Sequence, residues 1–165
     1  MALIIETGAL VTGANSYVTV AEARPYVESR GGTFPIEDID GEYLILKAMD
    51  FFESHNERFK GEMVDKSQPL SFPRHNFEVE GWSWSSNEIP RQVKTALLAL
   101  VFEIAGGADP FNPETVQAPA IKKKVGPIET VYAEPVRVSK VYKNSTSGTL
   151  MRLLLKNSGL SMVRV

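Results

Sequence analysis

The chain has 165 residues, 43% of them hydrophobic, a net charge of −2 and no cysteine. That length suits one domain with one buried core, and the lack of cysteine excludes a disulfide framework and a thiolate metal site. No apolar run reaches the roughly 18 residues of a membrane span, and the first residues lack the basic and apolar regions of a signal peptide. We expect a soluble, unexported protein with no membrane partner.

A capped helix is predicted near the start of the chain. Thr19 and Glu22 have the spacing of a capping box, in which each side chain accepts a hydrogen bond from the other residue's backbone N–H. The helix should begin at Val20 and end near Arg30, where two glycines follow. Pro25 inside it should kink or shorten it.

A second helix is predicted from about Gly41 to Phe59, because apolar residues recur there at steps of three and four. Asp38 and Asp40, ahead of it, are suited to cap its N-terminus. The connection that follows, residues 61–88, contains two prolines, two tryptophans and several serines. We interpret it as a long irregular loop that is functional or held by its own aromatic residues.

A third helix should open at Ile89 and Pro90 and continue to Ile104. It is apolar on almost every side, so it should lie in the centre of a bundle or face a partner subunit. A glycine pair ends it, and residues 108–120 are interpreted as an extended linker.

The C-terminal part, residues 121–165, is predicted to hold two strands and a short helix. Val125–Tyr132 and Val136–Tyr142 alternate as strands do, and Thr149–Lys156 is rich in leucine. We therefore predict one mainly α domain, with a small bundle of three to four helices over residues 14–107 and a small β element, a strand pair, in the C-terminal part.

Charge is divided unevenly along the chain. Residues 1–117 contain 9 Lys and Arg against 18 Asp and Glu, whereas residues 118–165 contain 9 against 2. Such a division is typical of a nucleic-acid-binding tail, and equally of a subunit whose basic end lies against the acidic body of a neighbour. Three consecutive lysines, residues 122–124, leave both interpretations open.

The sequence contains no motif for catalysis or metal binding. His55 and His75 lack the spacing of a zinc site, and the acidic segment at 37–42 has its glycine in the wrong place for a calcium loop. No glycine-rich phosphate loop and no nucleophile elbow is present. We predict that the protein is not an enzyme and has no catalytic residue, metal site or cofactor.

The aromatic residues of the long connection have two interpretations. Trp82 and Trp84, together with the basic residues near the C-terminus, make a surface for single-stranded nucleic acid conceivable, because bases stack on aromatic side chains. Alternatively, the aromatic side chains hold the loop on the helical bundle and the lysines are solvated. The sequence does not place the two groups together.

Five short motifs follow one another in order over residues 14–132. They are Ala14–Ala23, Leu46–Phe51, Gln68–Arg74, Ile89–Ala96 and Lys124–Tyr132. This series resembles the head-to-tail connector, or adaptor, proteins of tailed phages. Similar sequences also carry the label of DnaT-like single-stranded DNA-binding protein. Pro25 and the stretch Trp82–Trp84 depart from the connector pattern, since the first helix is usually unbroken and the connection often shorter.

The connector resemblance implies a structural virion protein of the phage neck without catalytic residues. Such proteins assemble in the host cytoplasm, commonly as a ring of twelve, beneath the portal protein. There they surround the DNA channel, serve viral assembly and genome packaging, and join the portal to the head-completion and tail-proximal neck proteins. The other label implies a single-stranded DNA-binding replication protein.

We expect the C-terminal part to supply the contacts with neighbouring subunits and with the portal. An alternating strand can add to the edge of a neighbour's sheet, and a terminal helix can reach a partner. The predicted interface residues are Lys122, Lys123, Lys124, Val125, Ile128, Val131, Tyr132, Leu150, Leu153 and Leu154. The three lysines are also the candidate contacts with DNA, which should be non-specific.

Overall fold

Helices and short strand pairs alternate in the computed structural model, which describes residues 2–111, 122–124, 129–131 and 146–156. The helices in these ranges are α1 (Val20–Glu28), α2 (Asp38–Glu53), α3 (Arg91–Ala105) and α4 (Thr146–Leu154). The strands are β1 (Glu62–Met63), β2 (Arg74–His75), β3 (Phe77–Val79), β4 (Trp82–Trp84), β5 (Lys122–Lys124) and β6 (Glu129–Val131). They form three antiparallel pairs, β1 with β2, β3 with β4, and β5 with β6.

The start of α1 confirms the predicted capping box. The Glu22 N–H donates to the Thr19 hydroxyl at 3.1 Å, and the Thr19 N–H donates to the Glu22 carboxylate at 2.8 Å. The helix begins at Val20, as predicted, and ends at Glu28. Pro25 lies inside it, where the ring removes one backbone donor, so the helix is short rather than broken.

Helix α2 begins and ends earlier than the sequence pattern predicted. Its N-cap is Glu37, which makes no side-chain capping bond, so the prediction that Asp38 or Asp40 caps the helix is wrong. Both aspartates lie in the first turn, where their negative charges interact favourably with the positive end of the helix dipole. At the other end the Ser54 hydroxyl donates to the Phe51 carbonyl at 2.6 Å, a local bond that competes with the helix.

The connection at residues 61–88 is not an irregular loop throughout, because the pairs β1–β2 and β3–β4 lie in it. Glu80 and Gly81 both have positive φ, 55° and 78°, as a tight turn between antiparallel strands requires. Strands of two or three residues are too short to show alternation in a sequence. In the residues that the structure describes, the fold is therefore mixed rather than mainly α, with four helices and small strand pairs.

The core is built around α3, which packs against α1, α2 and α4. This confirms the prediction that the third helix lies centrally, and its N-terminus follows Pro90 as expected. The buried apolar residues of α3 are Val93, Ala96, Leu97, Ala99, Leu100, Val101 and Ile104. A cluster of buried aromatic side chains extends the core under the strand pairs, and it consists of Tyr17, Phe52, Phe59, Phe72 and Phe77.

Helix α4 belongs to this core. It begins three residues before the predicted Thr149, and its last residue is Leu154. Phe59 and Leu155 form an antiparallel bridge, in which the Lys60 N–H donates to the Leu154 carbonyl at 2.9 Å. The terminal helix is thus attached to the segment that follows α2 by backbone as well as side-chain contacts.

The start of the predicted linker at 108–120 lies against α2. Lys47 forms an ion pair with Asp109 at 3.3 Å, and the rings of Phe51 and Phe111 are 5.7 Å apart. Residues 112–120 and the predicted strand Val136–Tyr142 lie outside the described residues.

Candidate nucleic-acid interface

The three consecutive lysines form a strand of their own. Lys122 pairs with Val131, Lys123 with Thr130 and Lys124 with Glu129. The C-terminal part therefore contains a strand pair, as predicted, but the pair joins other segments than the predicted Val125–Tyr132 and Val136–Tyr142. The lysines supply one of its strands instead of preceding it.

Of the strand predicted at Val125–Tyr132, the described residues confirm Glu129–Val131. Val131, a predicted interface residue, lies in that strand, opposite Lys122. The other predicted interface residues of this stretch, Val125, Ile128 and Tyr132, lie outside the described residues.

The body of the protein carries the opposite charge. Residues 2–111 contain 9 Lys and Arg against 17 Asp and Glu, whereas residues 118–165 contain 9 against 2. A phosphate backbone is attracted by lysine and arginine and repelled by an acidic surface. Any polyanion that binds this chain should therefore bind through the C-terminal part.

The β3–β4 hairpin presents one exposed tryptophan. Phe77 and Val79 are buried and hold the hairpin on the core, while Trp82, opposite Val79, is 72% exposed. Trp84 is half-buried and packs against the core, so the interpretation that aromatic residues hold the connection applies to it. Glu80, two residues before Trp82 in the chain, is exposed, and its charge disfavours a phosphate backbone near the turn of the hairpin.

The three predicted interface leucines of the terminal helix lie in different surroundings. Leu153 is 37% exposed, whereas Leu154 is completely buried in the core. Leu150 is partly buried and packs against the same core. Leu153 is thus available to a partner, while Leu154 is a core residue whose side chain a partner cannot reach in this fold.

Glu103 fixes the N-terminus of α4, a role that the sequence reasoning missed. The Ser147 N–H donates to one carboxylate oxygen of Glu103 at 3.0 Å, and the Ser147 hydroxyl donates to the other at 2.5 Å. Ser147 itself is buried. Glu103 is the one charged residue in the otherwise apolar stretch Ala96–Ala105 of α3, and this is the signal that could have drawn attention to it.

A buried polar cluster holds the Gln68–Arg74 segment on the core. One oxygen of Glu53 accepts from the Tyr17 hydroxyl at 2.8 Å, and the other accepts from the Ser71 N–H at 2.9 Å and from the Ser71 hydroxyl. The Tyr17 oxygen in turn accepts from the Phe72 N–H at 2.9 Å. Burial raises the pKa of Glu53, and burial together with the Glu53 charge raises the pKa of Tyr17.

Arg74 and Gln68 complete this arrangement. The Arg74 guanidinium donates to the carbonyls of Ser71 and Gly61, each at 3.2 Å. The Gln68 amide donates to the carbonyls of Leu70 and Pro73 at 2.7 and 3.1 Å. Because these side chains bind backbone carbonyls of their own segment and of Gly61, the Gln68–Arg74 motif has a structural role here.

A cleft of about 330 Å³ lies beside Trp84, between the N-terminal segment and the start of α3. Two of its charged side chains already have partners within the chain. Glu6 accepts from the backbone N–H groups of Gly8 and Val11, both at 2.8 Å, and Lys94 pairs with Glu22 at 3.2 Å. We assign no ligand to it.

The two histidines belong to different parts of the fold. His55 follows the end of α2, and its ring lies 5.0 Å from that of Phe51, while His75 is exposed in β2. Among the described residues no group of three or more His, Cys, Asp and Glu could hold a metal ion. Within the same ranges, no helix is long and apolar enough to cross a membrane.

The fold and the charges define a mixed helical and β protein with an acidic body and a basic C-terminal part. A family model described as "Putative DnaT-like ssDNA binding protein" matches residues 1–165, and the chain belongs to that family. Comparison with curated proteins and with solved structures finds no match. This family carries the DnaT-like label and not that of the phage connectors. It therefore favours the single-stranded DNA-binding interpretation over the connector interpretation.

Proposed function

We propose that this protein binds single-stranded DNA without sequence preference and without catalysing a reaction. The observation that carries the proposal is β5, a strand of three consecutive lysines in the part of the chain where basic residues outnumber acidic ones by 9 to 2. Membership of the DnaT-like family supports it. The contact should be with the phosphate backbone, because lysine neutralises phosphates and releases their counterions whatever the base sequence.

The test is the salt dependence of binding to a labelled oligothymidine. For single strands, the slope of log K against log salt is about −0.7 for each phosphate neutralised. Replacement of Lys122, Lys123 and Lys124 by glutamine should therefore weaken binding and make the slope shallower by about 2. Unchanged affinity and slope in this variant would contradict the proposal.

A matched control removes the same charge from the acidic body. Arg58, Lys66 and Arg91 are exposed, and their replacement by glutamine also lowers the net charge by three. This variant should bind oligothymidine with nearly the wild-type slope. Equal losses in the two variants would mean that net charge alone, and not the β5 strand, determines binding.

A second candidate function is assembly as a ring in a phage neck, between the portal and the tail-proximal neck proteins. The charge division favours it, because opposite charges on two parts of one chain suit a head-to-tail contact that repeats from copy to copy. The mass of the protein should then rise with concentration, or on addition of a portal ring, in light scattering. A monomer under both conditions would count against this candidate.

A further inference from the structure

Three exposed apolar side chains follow one another at the beginning of α2. They are Ile36, Ile39 and Tyr43, which are 89%, 50% and 56% exposed, and we call them the α2 stripe. Steps of three and four residues put side chains on the same face of a helix. Ile39 and Tyr43, four residues apart within α2, therefore share one face, and Ile36 lies just before the N-cap of the same helix.

Ile36 is exposed because its usual local contact is missing. An apolar residue just before the N-cap commonly packs against the fourth residue of the helix. The N-cap is Glu37 and the fourth helical residue is Gly41, which has no side chain to offer. Gly41 cannot be replaced by a larger residue without displacement, since an added Cβ would lie 2.6 Å from the Phe34 ring. The packing of Phe34 thus leaves Ile36 without a partner on its own helix.

Acidic residues surround the stripe. No lysine or arginine occurs between residues 31 and 46, while four acidic residues do. They are Glu37, Asp38, Asp40 and Glu42. Even with Arg24, which pairs with Asp38 at 2.6 Å, acidic residues outnumber basic ones around the stripe. DNA would be repelled here, so a partner for this surface must combine apolar side chains with positive charge.

The same chain contains a segment of that chemistry. Residues 118–165 hold 9 basic and 2 acidic residues, together with apolar ones such as Val125, Ile128 and Val131. We propose that the α2 stripe of one copy binds the basic C-terminal part of a second copy. The contact is head-to-tail, because the two surfaces that meet are different. This inference deepens the connector candidate and is independent of DNA binding.

The first test compares self-association by sedimentation velocity over a range of concentration and salt. The wild-type protein should associate, and salt should weaken the association because opposite charges contribute to it. Replacing Ile36, Ile39 and Tyr43 together by serine should lower the association constant at least tenfold. The reversal Glu37→Lys with Asp40→Lys should do the same while leaving the apolar side chains in place.

The matched control changes exposed apolar residues elsewhere. Trp82→Ser and Leu153→Ser lie on the β3–β4 hairpin and on α4, and each should associate as the wild type does. Circular dichroism and urea unfolding should show all variants folded, since every changed residue is at least one third exposed or on the surface of α2. Loss of association in both control variants would overturn the assignment to the α2 stripe.

Mixing two defective variants identifies the occupant. The serine variant of the stripe keeps a normal C-terminal part, and a variant with Lys122, Lys123 and Lys124 changed to glutamate keeps a normal stripe. Neither should associate alone, but their mixture should form dimers through the one intact contact. A wild-type protein that stays monomeric at every concentration would overturn the proposal, and would indicate that each chain covers its own stripe. Failure of oligothymidine binding alone would leave the proposal standing.

Discussion

Glu53 shows how one half-buried side chain can fix the position of segments that are distant in the chain. Its two oxygens bind the Tyr17 hydroxyl from the N-terminal segment and the Ser71 backbone from the β1–β2 connection. These residues are 36 and 18 positions away from it in the chain. Polar groups buried in this way are costly unless every donor and acceptor is satisfied, so the cluster specifies one position for the connection.

The raised pKa of Glu53 predicts a pH dependence of stability. Because burial favours the protonated form, the folded state binds more protons than the unfolded state above the ordinary value of 4.5. Glu53 therefore contributes less stability as the pH rises through its folded pKa. In urea unfolding between pH 4.5 and 8, the free energy of unfolding of the wild type minus that of Glu53→Gln should fall with rising pH.

Ser71→Ala is the control for this prediction. The free energy of unfolding of the wild type minus that of Ser71→Ala should rise with pH, whereas the same difference for Glu53→Gln should fall. The Ser71 hydroxyl lowers the pKa of Glu53 by binding its charged form, so the variant should lose more stability than the wild type as the pH rises. Its cost at pH 7 should be about 1.5–3 kcal/mol, the range for a hydrogen bond to a charged group. Parallel pH profiles for both variants would contradict the assignment to Glu53.

At the residue scale, local pairs could be predicted from the sequence and distant pairs could not. The capping bonds of Thr19 and Glu22 depend only on a spacing of three residues, and they are present as expected. The bonds of Glu53 and Glu103 depend on how remote segments pack. A sequence pattern of fixed spacing carries no information about such pairs.

The terminal helix illustrates the same limit for whole elements. Its existence was predicted from leucine content, but which leucines face the core depends on the position of α4 against α3 and on the bridge between Phe59 and Leu155. Helices α1 and α3 were predicted well because caps, prolines and glycines mark their ends. The pairs β1–β2 and β3–β4 were missed because two or three residues show no period.

Two neighbouring leucines of α4 test this placement. Leu154 is completely buried and Leu153 is 37% exposed, although they are adjacent and chemically identical. Leu154→Ala should lower the free energy of unfolding by about 2–5 kcal/mol, because it leaves a cavity in the core. Leu153→Ala should cost less than about 1 kcal/mol. Equal losses in urea unfolding would mean that α4 does not pack on the core as described.

For the whole molecule, the division of charge is the property that the sequence predicted most directly. It needs only a count along the chain, and it underlies both the DNA proposal and the self-association proposal. The α2 stripe could not be predicted in the same way, since an amphipathic pattern does not show which apolar residues remain uncovered. Phe34, which fills the space beside Gly41, determines that outcome through the tertiary fold.

If both proposals hold, DNA and a second copy of the chain compete for the same basic residues. Addition of oligothymidine to the self-associated protein should then release monomers, each bound to DNA, because phosphates displace the acidic residues around the α2 stripe. Sedimentation with absorbance at two wavelengths distinguishes protein from DNA and measures this shift. Larger complexes that retain both the self-contact and DNA would contradict competition at β5.

The attachment of α4 to the core has a consequence for how far the basic segment can extend. Phe111 lies against α2, and Thr146 begins α4, so the 34 residues between them are joined to the core at both ends. A segment attached at both ends can reach at most about half its contour length, here roughly 60 Å, from its attachment points. A partner bound to β5 therefore stays within that distance of the acidic body.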